Sequence, residues 1–386
     1  MSESTLIKPQ KNEGLCTRQL AFVGAFLLPT AKLLEAPSLL AQHAKGDLLL
    51  PAFLHFLLEV GVLCVLLFAS SRSEQTLFER LNAFLGKGAR VFYGIYALYF
   101  LFISILPLLD LEKFTYAAFF DTAPTLFSFA FFFILSAFVC LKGGRALGRI
   151  ADFSLFLFVA PFFALLLMAL PESDFSHLLP IFGTDFEHTM SAFTHTLPHF
   201  SDAVLLLPLL GNLRYQKGDG KKIVGGYALG AGGVLLFLAV FFGVYSSIAP
   251  REHYAFSKIA QYFPILTTIG RIDLLFVYLI TIVLLFYTCI PVQYAVELTS
   301  KSIGTRKKLL LSLLINLGLF AFVFYFNKYY DGVYAIYTEK LPLLFLVIAD
   351  MLPLFLLFLP SYPSQSSTNF KRSITKDHTK KEKTHA

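Results

Sequence analysis

Long apolar runs, parted by short polar and basic stretches, set the rhythm of this chain. Ten runs read as membrane-spanning helices, at 17–42, 48–70, 91–118, 126–141, 149–170, 189–213, 222–248, 270–299, 307–327 and 341–360. A helix needs roughly 20 apolar residues to cross the hydrocarbon core, and these runs supply them. Two of the ten are interrupted. The first carries Pro29 and Lys32 at its centre, then Glu35 and Pro37. Proline lacks an N–H and crowds the preceding turn, so the pattern predicts a break near Pro29. The sixth carries Pro198, Asp202 and Pro208. Broken spans in corresponding positions of two halves mark the midplane binding site of secondary transporters. The expectation is an all-α polytopic membrane protein built as a 5+5 inverted repeat, with helices 1 and 6 broken.

Two shorter segments also show helical spacing. Leu77, Phe78, Leu81, Phe84 and Leu85 place an amphipathic helix at the interface between spans 2 and 3. A short helical loop with aromatic residues is expected at 253–263.

Composition and charge then fix the class and the orientation. The chain is 56% hydrophobic and 15% charged, which suits a membrane bundle. The net charge of +7 is not a nucleic-acid signal, because of where the basic residues fall. With the N-terminus inside, 24 Lys and Arg lie in cytoplasmic segments, against Lys45, Arg251, Lys258, Lys328 and Lys340 outside. This bias predicts cytoplasmic termini and an even number of spans. The expected layout is a cytoplasmic segment at 1–16, a transporter-like bundle at 17–360, and a disordered basic cytoplasmic tail at 361–386. Cys16, Cys64, Cys140 and Cys289 are scattered, with no metal or disulfide spacing. No phosphate loop or nucleophile motif appears, so neither an enzyme nor a cofactor is expected. The glycines of GGYALGAGG at 225–233 recur at small-xxx-small spacing, a mark of close helix packing.

At a broken helix, backbone groups without partners can hold a ligand. Pro29, Thr30, Ala31 and Lys32 are the candidates at the first break, with the half-helix N-terminus as a seat for a carboxylate. Thr196, Pro198, His199, Phe200 and Ser201 are their counterparts at the second, and Tyr99 is a candidate pocket wall. A zwitterionic amino acid suits such a site. Lys32 has three readings: an ammonium replacing a coupling ion, a partner for Asp202 or Glu35, or a side chain in a wet vestibule. Glu35, Asp202, Arg271 and Asp273 are candidate gating or ion-pair residues. His55 and Glu59, four apart on span 2, are read as a polar helix contact or a proton relay. Asp110, Glu112 and Lys113 form a charge cluster or an outer gate. The sequence gives Asp350 no evident partner.

Four stretches, TRQLAFVGAFLLPTAKLLEAP, LPESDFSHLLPIFG, HTLPHFSDAVLLLPLLG and IGRIDLLFVYLITIVLLF, occur in this order over the first 300 residues or so. In this the chain resembles the spore germination permeases, the B subunits of germinant receptors within the amino acid/polyamine/organocation superfamily. The resemblance implies a leucine-transporter-type bundle and an amino acid or similar germinant bound between spans 1, 3, 6 and 8. It also implies A and C receptor subunits as partners and residence in the inner spore membrane. The alternative is a secondary amino acid transporter coupled to protons or to an antiported solute.

Overall fold

The computed structural model describes residues 16–119, 125–180, 182–262, 273–305 and 307–360. The tail expected at 361–386 and nearly all of the N-terminal segment lie outside them, as does Arg271. The described residues are helical throughout, with no strand among them.

The first span is two helices, α1 (Thr17–Ala31) and α2 (Ala36–Asp47), bent by 65°. Then come α3 (Leu49–Ser71), α4 (Leu77–Leu85), α5 (Ala89–Phe119), α6 (Thr125–Lys142) and α7 (Gly144–Ala169). The second half opens on a broken pair as well, α8 (Phe186–Thr196) and α9 (Asp202–Gly211). It continues with α10 (Asp219–Tyr245), α11 (Ala255–Tyr262), α12 (Asp273–Ile303) and α13 (Lys308–Phe326). It closes with α14 (Tyr330–Ala335) and α15 (Pro342–Phe358). Six described helices are long and apolar enough to cross a membrane alone, and the α1–α2 pair makes a seventh. The short α6, the α8–α9 pair and α15 occupy the places of spans 4, 6 and 10.

The second half of the first span, α2, packs along α8, the first half of the sixth. Such a pairing arises when the two broken spans run in opposite directions. The most extensive packing joins α5 to α12, the third and eighth spans. On the other side α1 lies against α7 and α10.

The first break falls at Lys32–Glu35, beyond the proline that the sequence singled out. Pro29 stays inside a helix. A π-turn at Val23–Leu27 precedes it, and the Leu28 N–H reaches back to the Val23 carbonyl. Pro29 then occupies the opening positions of the next turn, where a missing N–H costs nothing. Pro37 likewise opens α2. In the sixth span the chain leaves α8 at Thr196, makes a 3₁₀ turn at Leu197–His199 and restarts at Asp202. Pro208 sits within α9 without breaking it.

The interfacial helix α4 is present with a capping box, Thr76 Oγ1 accepting from the Glu79 N–H at 3.2 Å. Its Arg80 is not a loop cation but is fully buried. It donates to the carbonyls of Ala69, Leu359 and Pro360, at 2.5, 2.5 and 3.2 Å, and so joins the ends of the second and tenth spans.

Candidate functional site

The two breaks meet through one ion pair. Lys32, just past α1, sets its Nζ 2.6 Å from Asp202 Oδ1 at the start of α9. Both side chains are out of solvent, at 1% and 3% exposure. Tyr227 of α10 donates to Asp202 Oδ2 at 2.8 Å, and the Phe200 ring lies 5.5 Å from the ammonium. Asp202 opens a helix whose N-terminal dipole favours a negative charge. Among the readings of Lys32, the geometry selects the pair with Asp202. Glu35 turns away from it, toward His253 Nδ1 at 3.0 Å.

Span 2 supplies the next two ties. His55 Nε2 lies 2.9 Å from Thr196 Oγ1, with its ring stacked between Phe193 and Phe200 at 4.1 and 4.5 Å. Glu59 Oε2 accepts the Ala203 N–H at 2.5 Å. The i, i+4 spacing read from the sequence thus puts both side chains on the broken sixth span.

The carbonyls bared at the first break are already used. The N–H groups of Ala255 and Phe256, opening α11, donate to Leu34 and Leu33, each at 3.0 Å. A loop helix therefore plugs the gap that the sequence left open for a ligand.

Beside these ties lies a small cavity. Ala31, Glu35, Asp110, Pro198, His199 and Thr288 contribute to its wall, as do the aromatic rings of Tyr287, Tyr337 and Phe345. Its free volume is about 40 Å³. That admits a few waters, each needing about 10–15 Å³, and falls short of an amino acid in this conformation. Asp110 accepts from Tyr330 Oη at 2.6 Å. His199 Nε2 is buried and has no hydrogen-bond partner among the described residues. Two carboxylates and one open imidazole nitrogen can take the two ends of a small zwitterion.

The sequence candidates divide accordingly. Ala31, Pro198, His199 and Glu35 line the cavity. Pro29 packs under Gly230. Thr30 is spent on the Phe26 carbonyl at 2.8 Å, and Ser201 on that of Leu197 at 3.1 Å. Thr196 and Phe200 hold His55, and Lys32 and Asp202 hold each other. The buried Tyr99 hydroxyl faces Ser201 without a hydrogen bond. Asp273 begins α12. Tyr227 and His253 were missed, and Asp110 was read as part of a charge cluster or an outer gate, not as a cavity wall. No local pattern signals them, because their partners lie on other spans.

Glu35, one of the cavity-lining residues, carries a titratable partner in His253. Its hydrogen bond to Glu35 raises the His253 pKa above the ordinary 6.5, partly opposed by burial. A raised value means the contact is fully made below pH 6.5 and is lost as pH climbs through the shifted value. NMR titration of His253 is expected to show a midpoint above 6.5 that returns toward it in Glu35→Gln.

Comparison with known proteins now decides the family. A family model described as "Spore germination protein" matches residues 36–330. The chain belongs to the spore germination permease family. The match begins just after the first break, so the segment from Thr17 to Glu35 lies outside it. No curated protein matches the sequence. Among solved structures, MhsT in complex with L-phenylalanine is similar with a TM-score of 0.60 at 12% identity, over 88% of this chain and 87% of that one. The Eremococcus coleocola manganese transporter, bound to an aromatic bis-isothiourea-substituted compound, gives 0.52 at 13%, over 90% and 82%. At such identities the likeness is one of fold: the permease has the leucine-transporter-type bundle.

Proposed function

We propose that this permease is the membrane-embedded sensing subunit of a germinant receptor, and that it binds an amino acid or a similar small zwitterion between its two broken spans. One observation carries the reading. Ala31 and Glu35 from the first break and Pro198 and His199 from the second wall a single cavity, together with Asp110. The ligand ammonium faces Glu35 and Asp110, and its carboxylate faces His199 Nε2. Because the cavity is closed down, binding requires Tyr337 and Phe345 to draw back. In this reading the bundle spans 17–360 in the inner spore membrane, with both termini cytoplasmic and A and C receptor subunits as partners. MhsT, a structural neighbour, is bound to L-phenylalanine, which supports an amino acid as the ligand class.

The test is a thermal-shift screen of the purified chain against the common L-amino acids. At least one is expected to raise the unfolding temperature, and Asp110→Asn and His199→Ala to abolish that rise while leaving the unliganded protein folded. A full screen without a shift, or a shift indifferent to both substitutions, overturns the proposal.

A second reading, a secondary transporter coupled to protons, is favoured by the buried carboxyls Glu59 and Asp350 that meet beside the broken sixth span. Accumulation of labelled amino acid in vesicles, collapsed by dissipating the proton gradient, separates transport from sensing.

A further inference from the structure

A second titratable site stands apart from the cavity. Asp350 belongs to a π-helical turn, Leu346–Met351, within the tenth span. Such turns, with their i→i+5 bonding, recur at functional sites. Its carboxyl comes within hydrogen-bonding reach of Glu59 on span 2. Both residues are 3% exposed. Asp350 Oδ1 is buried and has no hydrogen-bond partner among the described residues.

Two carboxylates cannot share a dry site while both are charged. The charged neighbour that could relieve them, Lys32, is engaged by Asp202. The other groups facing the pair are Asp202 itself and the hydroxyls of Tyr227, Tyr99 and Tyr96. His55 sits one turn away on the helix of Glu59, held by Thr196. Tyrosine hydroxyls are neutral donors, so none supplies a positive charge.

We propose that Glu59 and Asp350 form a proton-binding site that holds one proton between them and reports its occupancy to the broken sixth span. Glu59 accepts the Ala203 N–H, so its charge is stabilised at the N-terminus of α9. The remaining carboxyl oxygens of the two residues share the proton, so its titration belongs to the pair and to neither residue alone. Loss of that proton to water leaves two negative charges face to face, with Asp202 close by. Two relaxations follow. The tenth span moves off Glu59, or Lys32 leaves Asp202 for the unneutralised pair. Either loosens the start of α9, where Asp202 and Ala203 are the two gripped residues. The inference does not depend on the cavity ligand: a failed amino acid screen leaves it standing.

Infrared difference spectroscopy of the full chain in nanodiscs, titrated in sodium-free buffer, tests it. Wild-type protein is expected to lose a carboxylic-acid C=O band as pH rises, and its unfolding temperature to fall over the same interval. In Asp350→Asn, which mimics the protonated state, that band and the matching fall in unfolding temperature both disappear. Glu59→Gln removes the like charge, so the aspartic-acid band identified by ¹³C-aspartate labelling titrates at lower pH. Glu59→Gln thus serves as the test if Asp350→Asn fails to fold. Titrating bands identical to wild type in either variant overturn the assignment. So does a response that appears only when sodium is added.

Discussion

Replacing Lys32 with methionine is expected to destabilise the permease by about 3–5 kcal/mol, the cost of leaving one member of a buried ion pair alone. Exposure decides the magnitude. A solvated pair contributes about 0–1 kcal/mol, but these side chains are 1% and 3% exposed. The orphaned Asp202 would keep only the hydrogen bond from Tyr227. Asp202→Asn alone is expected to cost a similar amount, by stranding the ammonium. Together the two substitutions should recover most of the loss, because neither position then strands a charge on the other and the amide oxygen still accepts from Tyr227. Denaturant unfolding in detergent across the four-protein cycle measures the coupling. Two near-neutral single variants, or strictly additive effects, would show that the pair does not hold the two breaks together.

Gly230→Ala is expected to be the second most damaging change, at about 1–3 kcal/mol or more. A Cβ there would lie 2.5 Å from the Gly24 carbonyl oxygen, 2.7 Å from Pro29 Cγ and 3.0 Å from the Ala25 oxygen. Two of these are backbone atoms and the third belongs to a ring, so none can rotate aside. The seventh span would have to withdraw from α1. Tyr227 travels with it, so the Tyr227–Asp202 hydrogen bond should weaken too. Gly226→Ala meets the Ala21 oxygen at 2.5 Å and is expected to behave alike. Among the described residues, nothing lies within 4 Å of a Cβ added at Gly225 or Gly232. Alanine there should be neutral or slightly stabilising, since glycine is the poorer helix former by about 1 kcal/mol. Thermal unfolding of the four variants in one detergent checks the contrast, and a uniform response would refute the packing argument.

These two sites show how legibility varied along the chain. The glycine spacing in the seventh span was visible as a packing surface, yet which glycines face the first span was not. Spacing repeats every turn, and only the position of the neighbouring helix selects Gly226 and Gly230 over Gly225 and Gly232. Pro29 illustrates the opposite failure. Proline predicts a break locally, but the π-turn before it absorbs the missing N–H and moves the break to Lys32–Glu35. The carbonyls exposed there then go to α11, a helix more than 200 residues away in sequence.

The sequence by itself determined the class of the protein, the approximate extent of its long apolar helices, and the fact that the first and sixth runs are broken. These follow from hydrophobic run length, charge placement and proline content, all local properties that the bilayer reads one segment at a time. Tertiary structure alone decided which polar side chains serve a cavity and which serve the frame. A buried charge is defined by what lies across from it. Lys32 could have faced a ligand, water, Glu35 or Asp202. Only the packing of spans 1, 6 and 7 against one another brought its ammonium to 2.6 Å from Asp202, and left Glu35, Asp110 and His199 around the remaining space.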